Sequence, residues 1–257
     1  MINLLRSEWI KLHTVTMNWV LGIIAAAFPL VVTLLTAYFA SGSDGNNDGG
    51  LDTEGLISVL TGTTVVASLL CGVIAASSIT GEFGFGTIRP TFAATPRRSR
   101  VIVAKGVVVV AATTALAVVV QLVGWFVGGA LANSQGAVID LADVPTGVPA
   151  LAGAVVLTAL MSLAGYGFGL LTRSTPVAVA ILIVWPLIAE GLIGALLMLV
   201  TGNDSIPRWM PFQAGIRMVA IDLLDEGPSR LVSGLYFGGV ALALAALGGW
   251  AVNRRDA

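Results

Sequence analysis

The sequence has little charge. Asp, Glu, Lys and Arg together make up 11% of its 257 residues, whereas hydrophobic residues make up 56%. Soluble domains carry about 25% charged residues. A chain with less than half of that share cannot cover a water-facing surface, so the composition indicates an integral membrane protein. The net charge of −1 gives no basic footprint of the kind that nucleic-acid-binding proteins show.

Cysteine and histidine are almost absent, since Cys71 and His13 are the only ones. A single cysteine excludes an internal disulfide, and the pair is too small for a Cys/His metal site. The sequence also lacks the Gly-xxxx-Gly-Lys-Ser/Thr motif, so it cannot bind ATP through a P-loop. The predicted spans hold no paired carboxylates such as proton relays use. We therefore expect a non-enzymatic chain with no metal or other cofactor of its own.

Long apolar runs dominate what is present. A bilayer-spanning helix needs about 20 mostly apolar residues, and its backbone must satisfy its own hydrogen bonds in lipid. Six stretches of the sequence qualify: 18–40, 56–79, 103–132, 150–172, 177–200 and 231–252. None shows the alternation of a β-barrel. The sequence predicts one all-α domain over residues 1–257 with six transmembrane helices.

The basic residues lie mostly on one side of these spans. The N-terminus, the loops after spans two and four, and the C-terminus together hold ten of the 13 Lys and Arg residues. The opposite loops hold only Arg208, Arg217 and Arg230, together with most of the acidic residues. Short cytoplasmic loops carry the excess of Lys and Arg. Both termini are therefore predicted to be cytoplasmic.

An amphipathic pattern precedes the first span. It predicts a short helix in the inner headgroup layer, with Trp9 at the interface. The apolar positions at helical spacing are Ile2, Leu5, Trp9 and Leu12, and the flanking charges are Arg6, Glu8 and Lys11. On the opposite side, residues 201–230 suggest a second amphipathic helix that lies on or dips into the outer leaflet.

Some polar side chains lie within the predicted spans. Thr64 and Ser68 of span two either bond their own helix backbone or line a translocation path. Glu190 is the only charge deep in a span, where a carboxylate costs roughly 2.5–3.5 kcal/mol or more. It either contacts a substrate or gate, or lies nearer the outer surface. Pro186, Gly191 and Gly194 are expected to bend the helix beside it.

The segment 82–105 between spans two and three is the most distinctive stretch. Residues 87–94 can form a short helix with Ile88 and Phe92 on one face. Thr95 can cap the next helix and Pro96 can begin it. The basic residues of the segment are Arg89, Arg97, Arg98, Arg100 and Lys105. The positive-inside rule explains part of this charge, but it does not explain the apolar pair on a water-side loop.

The segment resembles the loop between spans two and three of ABC-2 type transporter permeases. The matching pattern is Glu82-xxx-Gly86-Thr87-Ile88, Pro96-x-Arg98 and Lys105, and residues 7–12 are similar to the family's N-terminal amphipathic helix. Gly84-Phe85 departs from it, because family members often carry a polar or basic residue there. The resemblance implies a cytoplasmic coupling helix that docks on an ATPase. The implied coupling residues are Glu82, Gly86, Thr87, Ile88, Arg89, Phe92, Arg97 and Arg98.

The resemblance further implies a multi-pass subunit of a transporter, most simply an exporter, in a bacterial plasma membrane. Its partners would be a separate ABC ATPase, which binds ATP and Mg²⁺, and a second permease subunit, with membrane lipid around them and no nucleic acid. The dimer seam and the substrate path would follow spans two and five. An ATP-independent channel or ion-coupled carrier that uses Glu190 is the alternative.

Overall fold

The structure, a computed structural model, describes residues 2–40, 51–88, 90, 98–221 and 227–254. Within these ranges the chain is helical and contains no strand. Six of the described helices are long and apolar enough to cross a membrane, which confirms the predicted all-α class with six spans.

A short N-terminal helix precedes the six spans, and a π-helical turn divides the fifth span into two α-helical parts. The helices are α1 (Ile2–Thr14), α2 (Thr16–Ala40), α3 (Thr53–Gly84), α4 (Arg98–Ser134), α5 (Gly147–Thr172), α6 (Thr175–Val184), α7 (Glu190–Thr201), α8 (Pro211–Arg217) and α9 (Arg230–Arg254). A π-helical turn over Trp185–Ala189 joins α6 to α7, so these two form one span. We call the end of the bundle where α3 finishes and α4 begins the proximal end, and the other the distal end.

Helix α5 lies at the centre of the bundle because glycines on its opposite faces let two neighbours approach closely. A Cβ added at Gly165 would lie 2.2 Å from the carbonyl oxygen of Gly72 in α3. One added at Gly167 would lie 2.7 Å from the backbone nitrogen of Ala245 in α9. Residues two apart on a helix point about 200° apart, so the two contacts lie on different sides of α5. Small residues at such contacts allow close packing of helices in membranes.

The bundle has an enclosed interior and an apolar exterior. In the most apolar 18-residue stretch of α3, 61% of the residues are buried inside the bundle. The corresponding share is 22% for α2 and 28% for the α6–α7 span. Leu199 and Val200 of α7 are among the most exposed side chains. In lipid such exposure has no hydrophobic cost, so apolar residues cover the outside as well as the core.

Helix α8 packs into the bundle from the distal side. Phe212 is buried and packs against Phe237 of α9, with ring centroids 4.9 Å apart and the ring planes tilted by 58°. Gly215 makes room for the same ring, since a Cβ there would lie 2.7 Å from it. The sequence predicted an amphipathic helix on or dipping into the outer leaflet. The observed helix is shorter and ends at Arg217, and the following Met218 and Val219 are buried in the core.

Candidate functional site

Four charged side chains meet at the proximal end. The ammonium nitrogen of Lys105 in α4 lies 2.5 Å from Oε2 of Glu8 and 3.0 Å from Oε1 of Glu82, which lies in the last turn of α3. Lys11 lies 2.8 Å from Oε1 of Glu8 and 3.0 Å from the same oxygen of Glu82. Each cation therefore contacts both anions. We call these four residues the proximal charge cluster, and it ties α1 to both α3 and α4.

The cluster is largely removed from water. Glu8 is 2% exposed and Lys105 is 5% exposed, while Lys11 keeps part of its side chain in contact with the surroundings. Burial raises the pKa of Glu8, but the neighbouring Lys105 and Lys11 outweigh this effect and bring the pKa below its ordinary value. Burial lowers the pKa of Lys11, but hydrogen bonds to Glu8 and Glu82 outweigh it and raise the pKa. Both groups are therefore charged at neutral pH.

The end of α3 is shaped to hold Glu82 in this position. The Phe85 amide donates to the Gly81 carbonyl at 2.9 Å, and the Gly86 amide donates to the Phe83 carbonyl at 3.3 Å. Gly86 has a φ of +69°, a conformation that glycine adopts readily at a helix end. The chain therefore turns sharply away just after Glu82, which leaves the carboxylate facing Lys11 and Lys105.

A cavity of about 520 Å³ lies beside the cluster. Its polar lining includes the cluster itself, Asn18, Ser77, Ser78 and Thr175, and its apolar lining includes Val15, Met17, Val108, Val109 and Phe85. Pockets of about 300–1,000 Å³ hold small-molecule ligands in proteins. The cavity therefore joins a charged end to apolar walls.

Glu190 has a different environment at the distal side of the bundle. Both of its carboxylate oxygens accept the Phe212 amide at 3.0 Å, and Oε2 also accepts the Gln213 amide at 3.0 Å. Those amides are the free donors at the start of α8, which a carboxylate satisfies well. Glu190 is 1% exposed, and the structure gives it the role of an anchor for α8. This geometry does not favour the carrier alternative.

The π-helical turn over Trp185–Ala189 lies directly before Glu190, where the sequence predicts a bend. Pro186 lies in that turn and cannot donate to the helix ladder. Its own carbonyl accepts the side-chain amide of Gln213 at 3.4 Å. The turn therefore gives α8 a second attachment next to Glu190.

The hydroxyl residues proposed for a translocation path lie inside the subunit. Thr64 donates to the Leu60 carbonyl at 2.7 Å and accepts the amide of Gln121 in α4 at 2.9 Å. Ser68 donates to the Val65 carbonyl at 2.6 Å and is fully buried. Of the two alternatives that the sequence left open, these contacts agree with hydrogen bonding to the helix's own backbone and to a neighbouring helix. A path along this face stays a prediction.

Comparison with known proteins identifies the family. A family model described as ABC-2 family transporter protein matches residues 4–201, which include the proximal charge cluster and Glu190. The chain belongs to the ABC-2 transporter family. It is thus a multi-pass transmembrane subunit of an ABC transporter, of a family that is generally non-catalytic and associates with an ABC ATPase. A search of curated proteins gave no match.

The structure of this ABC-2 subunit changes the interpretation of two predicted coupling residues. Ile88 is 4% exposed and packs in a core cluster with Ile79 and Val101, so its side chain does not form the water-side face that its spacing suggested. Glu82 turns inward to the proximal charge cluster instead of outward to a partner. Both residues pack at the base of the segment, and their part in coupling to an ATPase stays a prediction.

The remaining predicted coupling residues divide into two groups. Gly86 and Thr87 are exposed at the proximal end, and Arg98 is the first residue of α4. Arg89, Phe92 and Arg97 lie outside the described residues, as does most of the predicted helix 87–94.

Sequence reasoning missed the part that Glu8 and Lys105 play in this ABC-2 subunit. Glu8 was interpreted as a residue flanking an apolar stripe, and Lys105 as one more basic residue of a loop. A usable signal existed: Lys105 lies inside the predicted span 103–132, where a lone cation needs an anion. Glu8 and Lys11 are one helical turn apart and could have been recognised as facing the same way.

Proposed function

We propose that this ABC-2 subunit belongs to an ATP-driven exporter and that its separate ATPase docks at the proximal end, on the segment between α3 and α4. The observation that supports this most is the proximal charge cluster, which joins α1, α3 and α4 around the base of that segment. A force on the segment would reach three helices at once, because buried ion pairs and packed helices move as units.

The route from the docking segment to the substrate path follows from the helix contacts. The cluster holds the end of α3, and α3 packs along α5 through Gly72 and Gly165. Tyr166 of α5 also donates to the Ile102 carbonyl of α4 at 2.7 Å, so α4 and α5 are joined near the same end. Displacement of α3 and α4 by the ATPase would therefore shift α5 and the centre of the bundle.

The distribution of basic residues and the exposure of the spans support the orientation of the subunit and the position of its partners. Both termini lie in the cytoplasm, since the N-terminus, the loops after spans two and four, and the C-terminus hold ten of the 13 Lys and Arg residues of the sequence. ATP and Mg²⁺ bind to the ATPase. A second permease subunit packs on the exposed α6–α7 span, whereas α3 is too enclosed to supply much of that interface. The membrane is the plasma membrane of a bacterium, and export is the direction by family likeness.

The docking test is a pull-down of the full-length subunit with its ABC ATPase. A Phe92→Asp, Arg97→Asp double variant places two negative charges on the segment and should lose most of the co-purified ATPase. Arg254→Asp is the matched control, because Arg254 lies at the same end but outside the segment, and it should retain the ATPase.

Equal recovery of the ATPase with both variants would overturn the docking proposal. Circular dichroism and gel filtration of each variant establish that the membrane domain remains folded, so that loss of binding reports on the surface.

A further inference from the structure

Two arginines flank the contact between α4 and α9 at the proximal end. The side-chain amide of Asn253 in α9 donates to the hydroxyl of Ser99 in α4 at 3.3 Å, and we call this contact the α4–α9 seam. Arg100 and Arg254 each follow a seam residue by one position, which is a turn of about 100° around the helix. Because α4 begins at the seam and α9 ends there, the two helices run in opposite directions. Both turns therefore lead to the same side of the seam.

That side of the seam borders the lipid. Arg100 is exposed and begins a stripe of α4 that continues with Val103 and Val107, each more than half exposed. Trp250, one turn before Arg254 on α9, is also more than half exposed. Residues three or four positions apart share one face of a helix. The arginines therefore end two lipid-facing stripes at the level where the spans leave the hydrocarbon and reach the head groups.

Both guanidinium groups keep donors for a ligand. The Arg254 guanidinium lies over the Trp250 ring, 4.4 Å from the ring centroid, which occupies its flat face and leaves the N–H groups at its edge. Within the described part of the chain, neither Arg100 nor Arg254 makes an ion pair or a hydrogen bond through its side chain. Because Trp250 precedes Arg254 along α9, the stacking holds this guanidinium back toward the membrane and not out toward a docked protein.

We propose that the α4–α9 seam binds the head group of an anionic phospholipid of the phosphatidylglycerol class. The phosphate accepts hydrogen bonds from Arg100 and Arg254, and the acyl chains lie along the apolar stripes beside Trp250. Basic sites between membrane helices on the cytoplasmic side bind anionic head groups in this way. A choline head group brings its own cation next to the phosphate, and two arginines repel it. The seam therefore selects for a net negative head group.

Lipid binding is measured on the full-length subunit in nanodiscs with no ATPase, so the result is independent of the docking proposal. Phosphatidylcholine discs receive increasing fractions of brominated phosphatidylglycerol or brominated phosphatidylcholine, whose bromine atoms quench nearby tryptophans. The quenching of Trp250 is the difference between the unaltered protein and Trp250→Phe. We expect a preference for phosphatidylglycerol of roughly tenfold or more, since each arginine near a membrane surface contributes on the order of fivefold. Higher salt should lower this preference.

Three sets of variants test the two arginines, each measured with and without Trp250→Phe. Arg100→Gln and Arg254→Gln should each lower the preference several-fold, and the double variant should abolish it. Arg100→Lys with Arg254→Lys keeps both charges and should retain most of the preference. Arg6→Gln is the matched control, because Arg6 is an exposed cation of α1 at the same end but away from the seam, and it should bind like the unaltered protein.

Equal quenching of Trp250 by the two lipids would overturn the proposal. So would an unchanged preference in the Arg100→Gln, Arg254→Gln double variant, or an equal loss in Arg6→Gln. A pull-down of the double variant with the ABC ATPase covers the other occupant of this surface. If that variant loses the ATPase but keeps its lipid preference, the arginines bind a protein partner and the lipid site is wrong.

Discussion

The two ends of the bundle hold charged side chains in different ways. At the proximal end, side chains from three helices pair with one another in the four-residue charge cluster. At the distal end, single charges bind the backbone: Glu190 accepts the amides of Phe212 and Gln213, and Arg230 donates to the carbonyls of Thr146 and Ile221.

This difference separates a junction between three long helices from the attachment of one short helix. The ion pairs join α1, α3 and α4 to one another, whereas the carboxylate of Glu190 binds the amides at the start of α8. The proximal end is thus suited to transmit motion from a docked ATPase. The distal end is suited to hold α8 and the start of α9 against the bundle.

The largest effect is expected at the proximal charge cluster. Lys105→Met removes a buried cation and leaves Glu8 and Glu82 without one of their two partners. Breaking a buried pair in this way costs about 3–5 kcal/mol. We expect a loss of that order in the free energy of unfolding, measured by denaturant titration in detergent. Arg100→Met, exposed on the same helix, should stay within about 0.5 kcal/mol of the unaltered protein.

A double variant tests whether this loss of stability comes from unpaired buried charge. Glu8→Leu combined with Lys105→Met removes one anion and one cation together, and leaves Lys11 paired with Glu82. Replacement of a whole buried ion pair by apolar groups is often neutral. The double variant should therefore recover much of the lost stability. If both variants are equally unstable, the cluster does not act through charge balance.

A smaller effect is expected at the distal end. Glu190→Ala removes the acceptor of the α8 amides and should cost about 1–3 kcal/mol of unfolding free energy. Glu190→Gln keeps one carbonyl acceptor and should cost less.

The same pair of variants distinguishes the anchor from an ion-carrying site. As an anchor, Glu190 can be replaced by Gln with substrate flux largely retained in reconstituted vesicles. Flux that is abolished in Glu190→Gln, in a protein as stable as the unaltered one, would contradict the anchor role and revive the carrier alternative.

The sequence predicted the helices better than the contacts between them. Apolar runs are local, so six spans follow from length and hydropathy alone. The cluster joins Glu8 to residues 74 and 97 positions away, Glu82 and Lys105, and no local pattern records which charges meet. Glu190 had two open interpretations for the same reason, because its partners become visible only once α8 folds back into the bundle. The same reason applies to Ile88. Its helical spacing with Phe92 indicates an apolar face but does not say whether that face packs in the core or contacts water.

The central claim is that an ATPase contacts the proximal end and not the distal one. Two single cysteines on helix α4 test it in a Cys71→Ala background: Ser99→Cys at the proximal end and Ser134→Cys at the distal end, both at exposed positions. A membrane-impermeant maleimide should label only Ser134→Cys in intact cells. In opened membranes it should label both.

Addition of the ABC ATPase with a non-hydrolysable nucleotide then decides the question. The account predicts that labelling of Ser99→Cys slows strongly while labelling of Ser134→Cys does not change. Unchanged labelling at Ser99→Cys with the ATPase bound, or protection at Ser134→Cys, would contradict it.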